Sequence, residues 1–261
     1  MLWQPRFKKN LYLVNARPDN VVGTLGCRPM REGSPLRWAN LGVYSLGEAA
    51  RLVGTNPQRI HRWLAGYRFP KKSGVPGESA PIFDPQLPMI GGHRALGFMD
   101  LVELLFIKAF RDYGVTLPTI RLAAKEGAKR WGTTHPFCIK RFVTDGRAIF
   151  STIVDEVGEE RLLDMTRSQL AFFSILSPYL KQLDYGAIGV DRWWPLGKGR
   201  LVYIDPTISF GRPVVAPRSI PTEMICQAVE VNRSEELVAK WYGVPVSSVR
   251  AALEFERSLA A

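Results

Sequence analysis

The stretch YSLGEAARLVGTNPQRIHRWLAGYRFPKK, residues 44–72, decides the fold. Ser45 followed by Glu48 has the spacing of a capping box, in which the hydroxyl and the carboxylate each take one of the backbone N–H groups that a helix start leaves unpaired. Leu46, Ala49, Ala50 and Val53 then share one face at helical spacing, so a helix is predicted over 46–53, ended by Gly54. Thr55 followed by Gln58 reads as a second capping box. Pro57 falls in the first turn, where its missing N–H costs nothing. The second helix turns Ile60, Trp63 and Leu64 inward and Asn56, Gln58, Arg59, His61 and Arg62 outward. Two short helices about a glycine turn are either a helix-turn-helix or an ordinary helical hairpin on a basic protein.

Charge favours the first reading. The 261-residue chain carries a formal net charge of +11, and residues 1–130 hold 20 Lys and Arg against 9 Asp and Glu, while residues 131–261 hold 15 of each. All the excess positive charge lies in the half that contains the helix pair, which suggests an anionic partner for that half and a different one for the rest. In a helix-turn-helix the second helix enters the major groove. There Arg59 and Arg62 can grip phosphate or guanine, Asn56 and Gln58 can pair with adenine, and His61 shares their face. Arg51, late on the first helix, is placed as a phosphate contact.

An apolar fraction of 46% and a charged fraction of 23% are those of a globular protein. No apolar run reaches the roughly 18 residues needed to span a bilayer. The first twenty residues carry charges inside any signal-like core, so a cytoplasmic location and no membrane association are expected. Cys27, Cys138 and Cys226 are too far apart to suggest a disulfide framework or a CxxC site, and His61, His93 and His135 form no HExxH. No cofactor or metal is expected, although a site assembled in space stays open. Catalysis finds little support: there is no GxSxG, and Asp155, Glu156, Glu159 and Glu160 read as a solvated patch or a helix start. The protein is expected not to be an enzyme.

Four regions follow from texture. Residues 1–42 form a basic arm rich in Arg, Lys, Gly and Pro. Residues 43–131 hold the helix pair, a long Gly- and Pro-containing stretch from Tyr67 to Phe98, a helix over 99–113 ended by Gly114, and a further helix beginning at Thr116-Leu117-Pro118. Residues 132–202 are a mixed region. There PFCIKRFVTDGRAIFSTI suggests two strands about a Thr144–Arg147 turn, RSQLAFFSILSPYLKQLDY a helix kinked near Pro178, and RWWPLGKGRLVYIDP two strands about a Gly-Lys-Gly turn. Its aromatics Phe172, Phe173, Tyr179, Tyr185, Trp193 and Trp194 are expected mainly in the core, with some as interface anchors. Residues 203–261 give three short helices, with Ser234 and Ser247 as caps. The outward Ser247, Ser248, Arg250 and Glu254 are too weakly charged for a second DNA reader. The fold class is mainly α with small β elements, α+β: a winged helix-turn-helix, a strand-containing middle, and a three-helix module that is itself helix-turn-helix-like.

Two resemblances bear on function. The helix pair followed by GFMDLVELLFIKAFRDYGVTLPTIRLA resembles the DNA-binding domain of the MerR family of regulators, over about Tyr44–Arg121. The shared features are the Tyr-Ser opening, the EAA-LVG turn, the Asp-Leu pair of the third helix and the Gly-x-x-Leu-x-x-Ile-Arg run. The wing here is longer than usual in that family, and no metal-binding cysteine cluster follows. The resemblance implies that the wing residues Arg68, Lys71 and Lys72 also touch DNA. The segment Tyr203–Phe255 resembles a small module of VapB-type antitoxins, on Asp205-Pro206, Gly211-Arg212-Pro213-Val214, Arg218-x-Ile220-Pro221 and the helices of Glu235–Leu253. Together they imply an antitoxin that binds double-stranded operator DNA, represses its own operon and neutralises a cognate toxin, commonly a PIN-domain ribonuclease. Because one recognition helix covers few bases, a homodimer is expected. A MerR-like transcription regulator without a toxin is the alternative. A nucleic-acid-processing enzyme with a helix-turn-helix accessory domain is a third, and it requires clustered carboxylates or a metal in the middle region.

Overall fold

The computed structural model describes residues 40–70, 76–157, 166 and 169–260. The basic arm before Asn40, Lys71, Lys72, Glu159 and Glu160 lie outside the described residues, as do the side chains of Asp155 and Glu156. The described chain is mainly helical with small antiparallel sheets, an α+β fold.

The first helix, α1 (Leu46–Val53), starts on the expected capping box: the Ser45 N–H donates to Glu48 at 2.8 Å and the Glu48 N–H to Ser45 Oγ at 3.2 Å. Gly54 closes it at φ +71°, a left-handed conformation that glycine adopts without a Cβ penalty. The second helix, α2 (Pro57–Ala65), departs from expectation at its start. The cap is Asn56 rather than Thr55: its Oδ1 accepts from the N–H groups of Gln58 (2.9 Å) and Arg59 (3.1 Å). Pro57 explains the shift, since a residue preceding proline is held out of the helical region, the conformation that a cap needs.

The long stretch after α2 is two hairpins. Strands β2 (Tyr67–Phe69) and β3 (Gly77–Ser79) make the first. Strands β4 (Met89–Ile90) and β5 (His93–Leu96) make the second about Gly91-Gly92, and β5 pairs back onto β1 (Tyr44–Ser45), giving the sheet order β1-β5-β4. Helix α3 (Phe98–Tyr113) follows and is buried on nearly every side. Helix α4 (Leu117–Trp131) begins on Thr116 with Pro118 in its first turn.

The strand pair expected within 136–153 is absent. A short 3-10 turn (Pro136–Cys138) leads into helix α5 (Lys140–Val157). Phe142, Gly146, Ile149, Phe150 and Ile153 recur at helical spacing, and the period of an 18-residue segment outweighs a local turn signal. Gly146 serves packing here: a Cβ on it would lie 2.6 Å from the Phe142 ring. Phe106, Phe110, Phe137, Phe142, Phe150 and Phe172 interlock edge-on or tilted, with centroids 4.9 to 6.1 Å apart. Helix α6 (Gln169–Leu180) contains Pro178 and stops before the expected end, because Leu183–Tyr185 form strand β6, paired with β7 (Val190–Trp193). The Gly-Lys-Gly segment is a 3-10 turn, and its two sides are joined by a β-bridge from Trp193 to Ile204 rather than by a longer ladder. Of the middle aromatics, Phe172 and Trp193 are buried and Phe173 is exposed.

Residues from Tyr44 to Ile204 contribute to one core. A second core lies in the C-terminal module, where strands β8 (Val202–Tyr203), β9 (Val214–Val215) and β10 (Ile220–Pro221) precede helices α7 (Thr222–Asn232), α8 (Glu235–Tyr242) and α9 (Val246–Ala260). Ser234 caps α8 as expected, through the Leu237 N–H. Ser247 does not cap α9, which already begins at Val246, and Ser248 points inward, donating to the Ala216 carbonyl at 2.7 Å. Tyr44 links the two ends of the described chain: its hydroxyl donates to the Gly211 carbonyl at 2.7 Å.

Between α3 and the 3-10 turn lies a buried polar cluster. Asp100 accepts from Gly97 N (2.7 Å), Gln86 N (3.0 Å) and His135 Nε2 (2.6 Å). Glu103 accepts from Phe137 N (3.2 Å) and the Cys138 thiol (3.2 Å). These residue types could suggest a metal, but they satisfy one another in pairs, and among the described residues no three such groups converge on an ion site. Burial pushes the Glu103 carboxyl well above its ordinary range, and burial together with Glu103 pushes the Cys138 thiol up. A carboxyl raised in the folded state contributes stability that is complete below its unfolded value and is lost as pH rises through its folded value. Replacing Glu103 with Gln keeps the shape and an acceptor without the charge. Thermal denaturation is expected to show Glu103→Gln at least as stable as the parent at pH 8, by about 2–4 °C per kcal/mol of relief, with the gap closing toward pH 5.

Candidate nucleic-acid interface

Helix α2 presents the candidate reading face. Gln58, His61, Arg62 and Ala65 form an exposed stripe opposite buried Ile60, Trp63 and Leu64, and exposed Arg59 flanks it. The helix is fixed from below by its core face and from the start by Asn56. Having given its oxygen to the cap, Asn56 cannot also offer the two-pronged pairing with adenine without releasing the helix start.

The β2–β3 hairpin stands beside this face as a wing. It leaves α2 through Gly66, at φ +71° and ψ 179°, where a Cβ would lie 2.4 Å from the Ser79 carbonyl oxygen. Arg121 of α4 donates to Ser79 Oγ at 2.9 Å and to the Pro81 carbonyl at 3.2 Å, and its partial burial lowers the guanidinium from its ordinary value. The Ile82 N–H donates to the Trp63 carbonyl at 2.8 Å, so the hairpin's return is tied to the recognition helix itself. The Arg62 guanidinium lies over the Tyr67 ring, 6.0 Å from its centroid, joining helix and wing. Arg68 is exposed on β2, opposite Glu78.

The structure thus brings Gln58, Arg59, His61, Arg62 and Arg68 to one end of the domain, with Asn56 at its base. Arg51 is placed elsewhere. It lines a cleft of about 590 Å³ between α1 and the C-terminal module, together with Glu48, Arg212, Glu223 and Glu256. The sequence reading missed Tyr67, Phe69 and Arg121. The last stands in the quoted Ile-Arg pair of the fourth helix, but its role as a wing anchor depends on a contact across 42 residues.

The C-terminal helices carry a different surface. Met224 and Val231 lie seven apart on α7, and Leu237 and Trp241 four apart on α8, all four exposed, with Val231 at 80% and Trp241 at 60%. Arg250 is paired with Glu235 at 2.7 Å and Glu254 with Arg200 at 3.1 Å, so the charges of α9 are largely spent within the chain. Among the described residues no helix is long and apolar enough to cross a membrane.

Comparison with known proteins agrees with this geometry. Residues 42–124 match the family described as "Putative DNA-binding HTH domain". These residues form a helix-turn-helix of the DNA-binding type. The chain is 25% identical over 223 residues to "Putative antitoxin VapB45" of Mycobacterium tuberculosis (strain ATCC 25618 / H37Rv), covering 81% of this chain and 92% of that protein. The crystal structure of Rv2018 from Mycobacterium tuberculosis shares the fold, with a TM-score of 0.63 at 22% identity, covering 80% of this chain and 96% of that one.

The two roles open to Asn56 are separable. Asn56→Ala is expected to lose about 1 kcal/mol of stability. Asn56→Ser keeps a capping oxygen, so its melting temperature and its DNA affinity are both expected to stay near those of the parent. A loss of affinity in the serine variant, measured by fluorescence anisotropy, would return Asn56 to base reading.

Proposed function

We propose that this protein is a DNA-binding antitoxin that represses its own operon from the cytoplasm and neutralises a cognate toxin, a PIN-domain ribonuclease, without enzymatic activity of its own. The single observation that carries the DNA part is the exposed Gln58, Arg59, His61 and Arg62 face of α2, backed by a buried core and set beside an anchored wing. In this reading the front module is MerR-like, residues 43–131 hold the operator, 132–202 extend its core, and 203–261 form the antitoxin-associated module that meets protein partners. The exposed Met224, Val231, Leu237 and Trp241 support that last assignment, since exposed Trp and Met are enriched where proteins meet. The protein acts as a homodimer, because two recognition helices one helical turn apart give a specificity that one cannot.

Duplex DNA from upstream of the protein's own gene is the direct test. The parent chain is expected to shift it, with an affinity that falls steeply with salt because each phosphate contact releases counterions. Arg59→Ala combined with Arg62→Ala is expected to weaken binding at least tenfold and to flatten the salt dependence by about one unit of slope per lost contact. Unchanged binding by the double variant would remove α2 from the interface.

The alternative, a MerR-like regulator without a toxin, rests on the fact that the matching family model ends at residue 124 and says nothing of the tail. Co-expression with the neighbouring gene's product separates the two. The antitoxin reading predicts a stable complex in which ribonuclease activity is suppressed, and the regulator reading predicts none.

A further inference from the structure

The register of the wing sorts its side chains onto two faces. Tyr67 pairs with Ser79, Arg68 with Glu78 and Phe69 with Gly77. Side chains alternate along a strand, and directly opposed residues share a face. One face therefore carries Arg68 beside Glu78, a cation next to an acid. The other carries Tyr67 and Phe69 over the small Ser79 and Gly77, with ring centroids 5.9 Å apart and exposures of 36% and 38%. This aromatic face is the one turned toward the recognition helix, since the Arg62 guanidinium lies over Tyr67, and Arg121 reaches Ser79 on the same side. The surface between α2 and the wing is thus a pair of rings flanked by two guanidinium groups.

We propose that the wing meets DNA through Tyr67 and Phe69, whose rings pack on the deoxyribose and base surface of the groove beside the one that α2 enters, rather than through Arg68 on a phosphate. Arg68 stands directly opposite Glu78, whose acid disfavours a phosphate on that face, whereas the rings have only small residues opposite them and offer apolar surface to a nucleotide. Tyr67 has a second role: by lying under Arg62 it positions that guanidinium at the junction of helix and wing. The proposal rests on the DNA-binding reading of α2 and names the residues that complete that site.

The two modes of contact leave different signatures in salt. Losing a phosphate contact lowers the slope of log affinity against log salt by about 0.9, whereas losing a ring contact lowers affinity at all salt concentrations and leaves the slope alone. The experiment titrates the full chain against duplex DNA from upstream of its gene, by fluorescence anisotropy at several salt concentrations. Phe69→Ala and Tyr67→Ala are expected to weaken binding roughly tenfold, the scale of one lost ring contact, with Phe69→Ala leaving the slope unchanged. Arg68→Ala is expected to stay within about twofold, because the acid opposite Arg68 keeps phosphate off that face. Because removing a ring could loosen the hairpin itself, Tyr67→Phe and Phe69→Tyr are measured beside them, and affinity retained in both supports ring contact. The reverse pattern, a flattened slope in Arg68→Ala and parental affinity in Phe69→Ala, would overturn the proposal while leaving the DNA reading intact. A parent chain that fails to bind the duplex would overturn both.

Discussion

The carboxylate of Asp100 is the constraint on which the rest of the DNA-binding half depends. It is wholly buried, at the start of the central helix α3, and takes hydrogen bonds from three separate segments: the loop after the wing at Gln86, the strand end at Gly97, and the turn before α5 at His135. Gln86 completes the knot by accepting from the Met99 N–H at 3.0 Å. A buried polar group that loses its hydrogen-bond partners costs about 1–3 kcal/mol, so these segments are held where they meet the Asp100 side chain. Gly97 is glycine for the same reason, since a Cβ there would lie 2.2 Å from Gln86 Oε1. One side chain thereby sets the distance between the wing's return, the recognition helix tied to it at Trp63, and the aromatic core beneath.

How much of this was readable in advance depended on the range of each interaction. The capping box at Ser45 and Glu48, the stop at Gly54, and the ends of the third helix are decided by contacts within a few residues, and they stand in the structure where the sequence placed them. Asn56 was legible in principle, because Pro57 already held it in a cap's conformation. Thr55 has the capping-box spacing to Gln58 but lies one residue before the helix's cap. Within 136–153 the Thr-Asp-Gly turn signal is local, and the helical recurrence of Phe142, Ile149, Phe150 and Ile153 is the longer signal that the structure follows. The short strand at Leu183 hides in a helix-like sequence and exists because β7 pairs with it. The division of the wing into an aromatic and an ionic face depends on a register that spans the hairpin, and no local spacing encodes it.

The described chain joins two surfaces of opposite kind. At one end, α2 and the wing gather arginines and exposed rings on a rigid support. At the other, α7 and α8 expose Val231 and Trp241 on a module whose charges are nearly balanced. Tyr44 connects them: it stands at the opening of the helix-turn-helix, and its hydroxyl is spent on the Gly211 carbonyl of the C-terminal module.

Paired reading of DNA by α2 and the wing is tested most directly by a hydroxyl-radical footprint of the full chain on duplex DNA from upstream of its own gene. It predicts two protected half-sites, with centres separated by about one helical turn, 10–10.5 base pairs, or a multiple of it, each a major-groove window flanked by protection from the wing. Uniform cleavage along the duplex at concentrations that saturate anisotropy, or protection without a repeating half-site, would contradict it.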